Sequence, residues 1–141
     1  MTLRYLLDTN ILSEPLRPNP NPVISQKLLQ HQTEVATASV VFHEISYGSY
    51  RLPIQSYKRQ VIQAFLDRQV QQVMPILPYD LAVAAWFAIE RARLANQGQT
   101  PTYADGQIAA IAHVNNLVLV TNNVSDFANF QALHLENWFS S

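Results

Sequence analysis

Four carboxylates stand at positions in this chain from which they could act as a set: Asp8, Glu44, Asp105 and Asp126. Asp8 directly follows an apolar run over residues 3–7. Asp126 lies in the loop after a second run over 117–120. Carboxylates brought to one point repel, so one takes a proton or a cation offsets the charge. Oxygen donors of this kind suit hard ions such as Mg²⁺ or Mn²⁺. No zinc alternative offers itself, because His31, His43, His113 and His134 are scattered and there is no cysteine. A divalent ion so held can ionise a water, orient it at phosphorus and stabilise the leaving oxygen, which is the chemistry of phosphodiester hydrolysis. Each position also has an ordinary structural reading. Asp8 suits a helix N-cap, Asp105 favours a helix N-terminus through the macrodipole, Asp126 suits a turn and Glu44 suits a solvated helix face. Thr9 and Asn10 add polar groups beside Asp8, and Val41, Ile45 and Tyr47 give Glu44 mostly apolar company. The functional reading rests on the four together.

The elements that must position them alternate between short apolar runs and longer amphipathic stretches. Strands are expected over residues 3–7, 34–38, 73–77 and 117–120, with a weaker one over 133–136. A short helix is expected over 9–16. The alternating prolines of 17–22 make a loop, and Pro22 suits the first position of a helix to about His31. Ser39 reads as the N-cap of the next helix. Apolar residues at 54, 57, 61 and 65 predict a helix over 54–70 with one buried face. Asp80 and Thr102 read as caps of helices over 81–96 and from 103 onward, with Gly98 ending the first. Strands alternating with helices predict an α/β fold with a parallel sheet covered on both faces, and ligands then bind at the carboxyl ends of the strands.

The chain has 141 residues, which suits one domain spanning 1–141 with its own core. Hydrophobic residues make up 48% and charged ones only 13%, which excludes a disordered chain and hints that part of the surface is covered by a second copy or a partner. The N-terminal apolar run is broken at Asp8, so neither a secretory leader nor a membrane span is expected. The lack of cysteine permits a reducing cytoplasm, the expected location. The formal net charge is −1, whereas nucleic-acid binders are usually basic. Any grip on a nucleic acid must therefore come from the ion and a few local cations, with Arg17, Arg51, Lys58 and Arg59 as candidates.

Four segments together carry a family resemblance. They are Leu6-Leu7-Asp8-Thr9-Asn10-Ile11-Leu12-Ser13, His43-Glu44-Ile45-Ser46-Tyr47-Gly48, Asp105-Gly106-Gln107-Ile108-Ala109-Ala110 and Val120-Thr121-Asn122-Asn123-Val124-Ser125-Asp126-Phe127. In this order and spacing the chain resembles the PIN-domain toxins of type II toxin–antitoxin systems, the VapC group, over nearly its whole length. The resemblance implies a three-layer α/β/α PIN-like fold with a central, mainly parallel sheet of about four or five strands. It implies a Mg²⁺- or Mn²⁺-dependent ribonuclease in which Asp8, Glu44, Asp105 and Asp126 form the acidic site. Asp8, Asp105 and Asp126 would be its metal ligands, and Asn10, Thr121 and Asn123 its supporting polar residues. It also implies an RNA substrate, a cognate antitoxin and a homodimer. One departure stands out: where the family often has Thr-Arg-Asn, this chain has Thr121-Asn122-Asn123, which removes a possible phosphate contact.

Other functions remain open on the residues alone. A haloacid-dehalogenase-type phosphatase needs a second Asp where Asn10 stands and a site lysine, and the only lysines are Lys27 and Lys58. A receiver domain needs a lysine where Asn122 and Asn123 stand. A PIN-like scaffold that binds an antitoxin and aids operon repression without cutting is a further alternative, as is a nuclease directed at DNA.

Overall fold

The computed structural model describes residues 2–140. Strand β1 (Tyr5–Leu7) is three buried apolar residues in a row, the pattern of a strand covered on both faces. It lies at the centre of a five-stranded sheet, paired with β2 (Val35–Ala38) on one side and β4 (Val118–Val120) on the other. The edges are β3 (Ile76–Leu77) and β5 (Leu135–Glu136), giving the order β3-β2-β1-β4-β5. Every pairing is parallel, so the expected mainly parallel sheet is wholly parallel. The chain steps one way from β1 to β3, then crosses back to β4 and β5. Right-handed crossovers then place helices on both faces, the three-layer α/β/α arrangement. The order reverses beside β1, and a crevice opens at the carboxyl end of such a reversal.

The expected elements are present, with three local differences. The helix over 9–16 is divided into α1 (Thr9–Leu12) and a 3-10 turn (Glu14–Leu16), because Pro15 has no N–H to continue the α-helical ladder. After α2 (Pro22–Gln30), capped by Asn21, β2 runs into α3 (Ser39–Tyr50) without a loop. Ala38 therefore holds the N-cap position and Ser39 is the first helical residue, so Ser39 is not a cap. The helix expected over 54–70 starts later, as α4 (Tyr57–Phe65) capped by Ser56, and passes into a π-helical turn (Leu66–Gln71). Most of its apolar stripe is not core: Ile54 is 75% and Tyr57 79% exposed, only Phe65 of the four stripe positions packs against the core, and full burial falls to Leu66 and Val70 in the π turn.

Helices α5 (Leu81–Asn96) and α6 (Tyr103–Val114) match expectation. Asp80 accepts from the Val83 N–H at 3.0 Å and Thr102 from the Asp105 N–H at 3.2 Å. The turn after α5 carries Gly98 at φ 69°, a left-handed conformation natural to glycine. Gly106 on α6 lies against the Phe87 ring of α5 so closely that a Cβ there would sit 2.0 Å from Phe87 Cζ. A last helical turn, α7 (Val124–Phe127), precedes β5. Among the described residues no helix is long and apolar enough to cross a membrane.

Candidate active site

Asp8 begins where β1 ends, at the point where the strand order reverses. Its backbone N–H still bonds to Val120 of β4, and its side chain turns into α1. One carboxylate oxygen accepts from the Thr9 N–H at 2.8 Å and the other from the Thr121 hydroxyl at 2.7 Å. Asp8 is thus the helix cap that a structural reading anticipates, yet it also stands only 6% exposed at the floor of a cleft. Burial is the main cause that pushes its carboxyl above the usual aspartate range. The charges of Asp105 and Glu44 push the same way, against the hydrogen bonds from Thr121 and Thr9.

The flanking polar residues fasten separate elements to one another. The Thr9 hydroxyl donates to Glu44 at 2.6 Å, joining α1 to α3. Asn10 accepts from the Asn122 N–H at 3.0 Å, joining α1 to the loop after β4. Thr121, fully buried, donates to Asp8 and accepts from the Asn123 N–H at 3.0 Å. Asn123 itself lines the cleft. Asp105 projects from the first turn of α6. Its carboxyl is also raised, first by burial, then by the charges of Asp126 and Glu44, with Thr102 acting in the opposite sense.

Asp8, Glu44 and Asp105 line one cleft of about 950 Å³. Asp126, exposed on α7, lies in an adjoining hollow whose wall includes Asp105. The structure therefore brings three of the four expected carboxylates together and sets the fourth beside them. The loop that follows Asp126 is pinned from α5. Buried Glu90 accepts two bonds from Arg93, at 2.7 and 2.8 Å, and one from the Gln131 N–H at 2.7 Å, while Arg93 also donates to the Asn129 carbonyl.

The donors around the cleft fit a hard cation: its titratable lining is carboxylate and arginine, with no histidine. Two of the carboxyls already feel the excess of negative charge. Among the described residues no three acidic or histidine side chains stand close enough to enclose an ion by themselves. An ion held here would keep several waters and take one or two carboxylates directly, the usual habit of Mg²⁺.

A PIN domain model matches residues 5–132. The chain belongs to the PIN-domain family. Ribonuclease VapC2 of Haemophilus influenzae (strain ATCC 51907) is 33% identical over 136 residues, covering 96% of this chain and 98% of that protein. The tRNA(fMet)-specific endonuclease VapC of Shigella flexneri is 31% identical with the same coverage. Among solved structures, FitAcB from Neisseria gonorrhoeae superposes with a TM-score of 0.87 at 30% identity, over 97% of this chain and 99% of that one. DNA-bound VapBC from Salmonella typhimurium gives 0.82 at 26% identity, over 96% and 98%.

Of the four cations expected to grip phosphates in this PIN domain, only Arg17 lines the carboxylate cleft. Arg59 is spent on the Leu52 carbonyl at 3.1 Å and on the Tyr50 ring, and Arg51 lies over Tyr47. Lys58 borders a neighbouring apolar groove. Glu14 and Phe139 are among the cleft residues that the sequence does not mark as part of a site. Glu14 is buried because it accepts from the Asn21 N–H at 2.8 Å across the proline-rich loop. Phe139 reaches the cleft from the C-terminal segment. Neither position lies in a motif, and nothing local in the sequence signals them.

Proposed function

We propose that this PIN domain, as one domain over residues 1–141, is a divalent-metal-dependent endoribonuclease acting as the toxin of a toxin–antitoxin pair in the cytoplasm. The observation that carries the reading is the convergence of Asp8, Glu44 and Asp105, from three separate elements, on one cleft at the strand-order reversal. The similarity to VapC ribonucleases over nearly the whole chain supports it.

Asp8, Asp105 and Asp126 would hold Mg²⁺ or Mn²⁺, directly or through water. When bound, the ion makes a water more acidic and offsets the charge that builds on the phosphate oxygens. Glu44, fixed by the Thr9 hydroxyl, orients the attacking water and takes its proton. The water oxygen attacks phosphorus in line, the bond from phosphorus to the 3′ oxygen breaks, and that oxygen takes a proton from solvent. The products are a 5′-phosphate and a 3′-hydroxyl. Thr121 keeps Asp8 oriented, and Arg17 lies within the cleft to meet a phosphate.

The partners on this reading are RNA, a cognate antitoxin protein and a second copy of the chain. Support comes from the VapBC complexes among the structural neighbours and from the exposed Tyr47, Tyr50, Ile54 and Tyr57, an apolar surface suited to being covered. End-group analysis of RNA cut by the purified protein tests the mechanism. A 5′-phosphate and 3′-hydroxyl, with cutting abolished by EDTA, are expected. A 2′,3′-cyclic phosphate, or cutting that survives EDTA, would overturn it.

A further inference from the structure

Beside the carboxylates the cleft has a feature that phosphodiester hydrolysis alone does not require. Phe139 is the one aromatic side chain among the described residues lining it. The residue is half-buried: it packs against the core and also borders the cleft. Its place in the chain is firmly held. The preceding residue, Trp138, is 1% exposed. Its ring meets Tyr5 edge-on at 5.3 Å and stacks with His31 at 5.4 Å, and its Nε1–H donates to Glu136 at 3.1 Å. The Phe139 N–H in turn donates to Asn137 Oδ1 at 2.9 Å.

The same turn is tied to the acidic site. Asn137 Nδ2 donates to Asn122 Oδ1, a long bond of 3.5 Å, and the Asn122 N–H donates to Asn10, two residues from Asp8. Asn122 is the position where the family often has arginine. Here its side chain meets the C-terminal turn that carries Phe139. Arg17, at the end of the 3-10 turn, stands 3.9 Å from Glu14 yet is 71% exposed, and it lines the same cleft.

We propose that Phe139 is a stacking platform for an unpaired nucleobase beside the scissile phosphate of a single-stranded RNA. A fixed aromatic face is what such a base requires, since every base has a π-face and stacking depends little on its identity. With an overall charge of −1, the chain has little general attraction for RNA. A stacked base next to one arginine therefore supplies grip that bulk electrostatics does not. The proposal rests on the nuclease reading for its substrate, and the test below separates the two.

The experiment uses short single-stranded oligoribonucleotides carrying one cut site, each flanking nucleotide replaced in turn by an abasic one. Cleavage is measured for the full chain and for Phe139→Ala, Phe139→Leu and Phe139→Trp. Leucine keeps an apolar contact with the core but removes the ring, so it reports on stacking without the cavity that alanine leaves. The expected result is a roughly five- to hundred-fold rise in KM for Phe139→Leu, with kcat little changed and Phe139→Trp near wild type. One abasic position should impose the same penalty on the wild type and none on Phe139→Leu. If Phe139→Leu binds and cuts as wild type does, or if its loss simply multiplies with that of every abasic substrate, the platform is refuted. If no RNA is cut, the nuclease reading fails. Anisotropy of the same labelled oligonucleotides then still decides the platform, by whether Phe139→Leu and the abasic replacement weaken binding by the same non-additive factor.

Discussion

Replacing Gly106 by alanine places a methyl where there is no room. The new Cβ would stand 2.0 Å from Phe87 Cζ, 2.2 Å from Cε1 and 2.9 Å from Cε2. Ordinary carbon contacts lie at about 3.5–4.0 Å, so the ring must retreat by about 1.5 Å. Phe87 is buried at the α5–α6 contact with Tyr103 against its edge, which leaves it little space to yield. Overpacking of this kind costs about 1–3 kcal/mol, and such short contacts to three ring atoms point to the upper end. Alanine returns about 1 kcal/mol through helix propensity. The balance is a loss of about 2 kcal/mol, or about 6–8 °C in Tm at this chain length. Asp105 is the preceding residue on the same helix. A shift of α6 of about 1 Å at that point lowers kcat by about 10- to 100-fold. Thermal melts followed by circular dichroism give the first quantity, and single-turnover cleavage gives the second. Phe87→Leu should open the space, so the double variant should lose at least 1 kcal/mol less than the two single losses added together. A Gly106→Ala protein that melts higher than wild type and cuts at the same rate would refute this account of the α5–α6 contact.

Further expectations concern charge. Asp8→Asn should abolish cutting while keeping the cap, because asparagine caps as well as aspartate and Thr121 can turn its hydroxyl to accept from the new amide. The folded-state carboxyl of Asp8 is raised, chiefly by burial, so its contribution to stability is present at low pH and lost as pH rises through the raised value. Metal-free Asp8→Asn should therefore gain on wild type in chemical denaturation as pH rises from the ordinary aspartate range, then level off. Saturating Mn²⁺ should stabilise the wild type alone. Glu90 is lowered, first by its bonds from Arg93, so its stabilisation is present at neutral pH and lost on acidification. Glu90→Gln should cost about 1–3 kcal/mol at pH 7, discounted because Arg93 is partly solvated, and should flatten the acid side of the stability–pH curve. Arg17→Ala should weaken RNA binding and reduce the slope of log affinity against log salt by about one counterion, whereas an unchanged slope would remove Arg17 from the substrate path.

Much of this layout is legible in the residues. The strands declare themselves as apolar runs, and ladder pairing trims them: residues 3–7 read as a strand, but only Tyr5–Leu7 pair with both neighbours. Asp80 and Thr102 are visible as caps because an oxygen side chain precedes a long periodic stretch with no competing partner nearby. The stripe at Ile54, Tyr57 and Val61 reads as core because periodicity reports amphipathicity, not what covers the apolar side. Here the chain's own core takes Leu66 and Val70 instead. The carboxylates are legible because parallel topology places strand ends and helix starts at one edge. Asp126, on the exposed side of α7, lines only the adjoining hollow, which shares Asp105 with the cleft. Glu14 and Phe139 are not legible at all. One is buried by a backbone N–H across a proline loop, and the other is positioned by a C-terminal turn whose anchors, Tyr5 and His31, are remote in sequence.

If these carboxylates hold an ion that cuts RNA, cleavage must titrate with that ion. Cleavage of a labelled structured RNA by the purified protein is followed against Mg²⁺ or Mn²⁺ concentration, beside Asp105→Asn. Cutting should saturate with the ion, stop in EDTA and be lost in Asp105→Asn while that variant melts as a folded protein. Cutting that ignores the ion, or persists undiminished in Asp105→Asn, would contradict it.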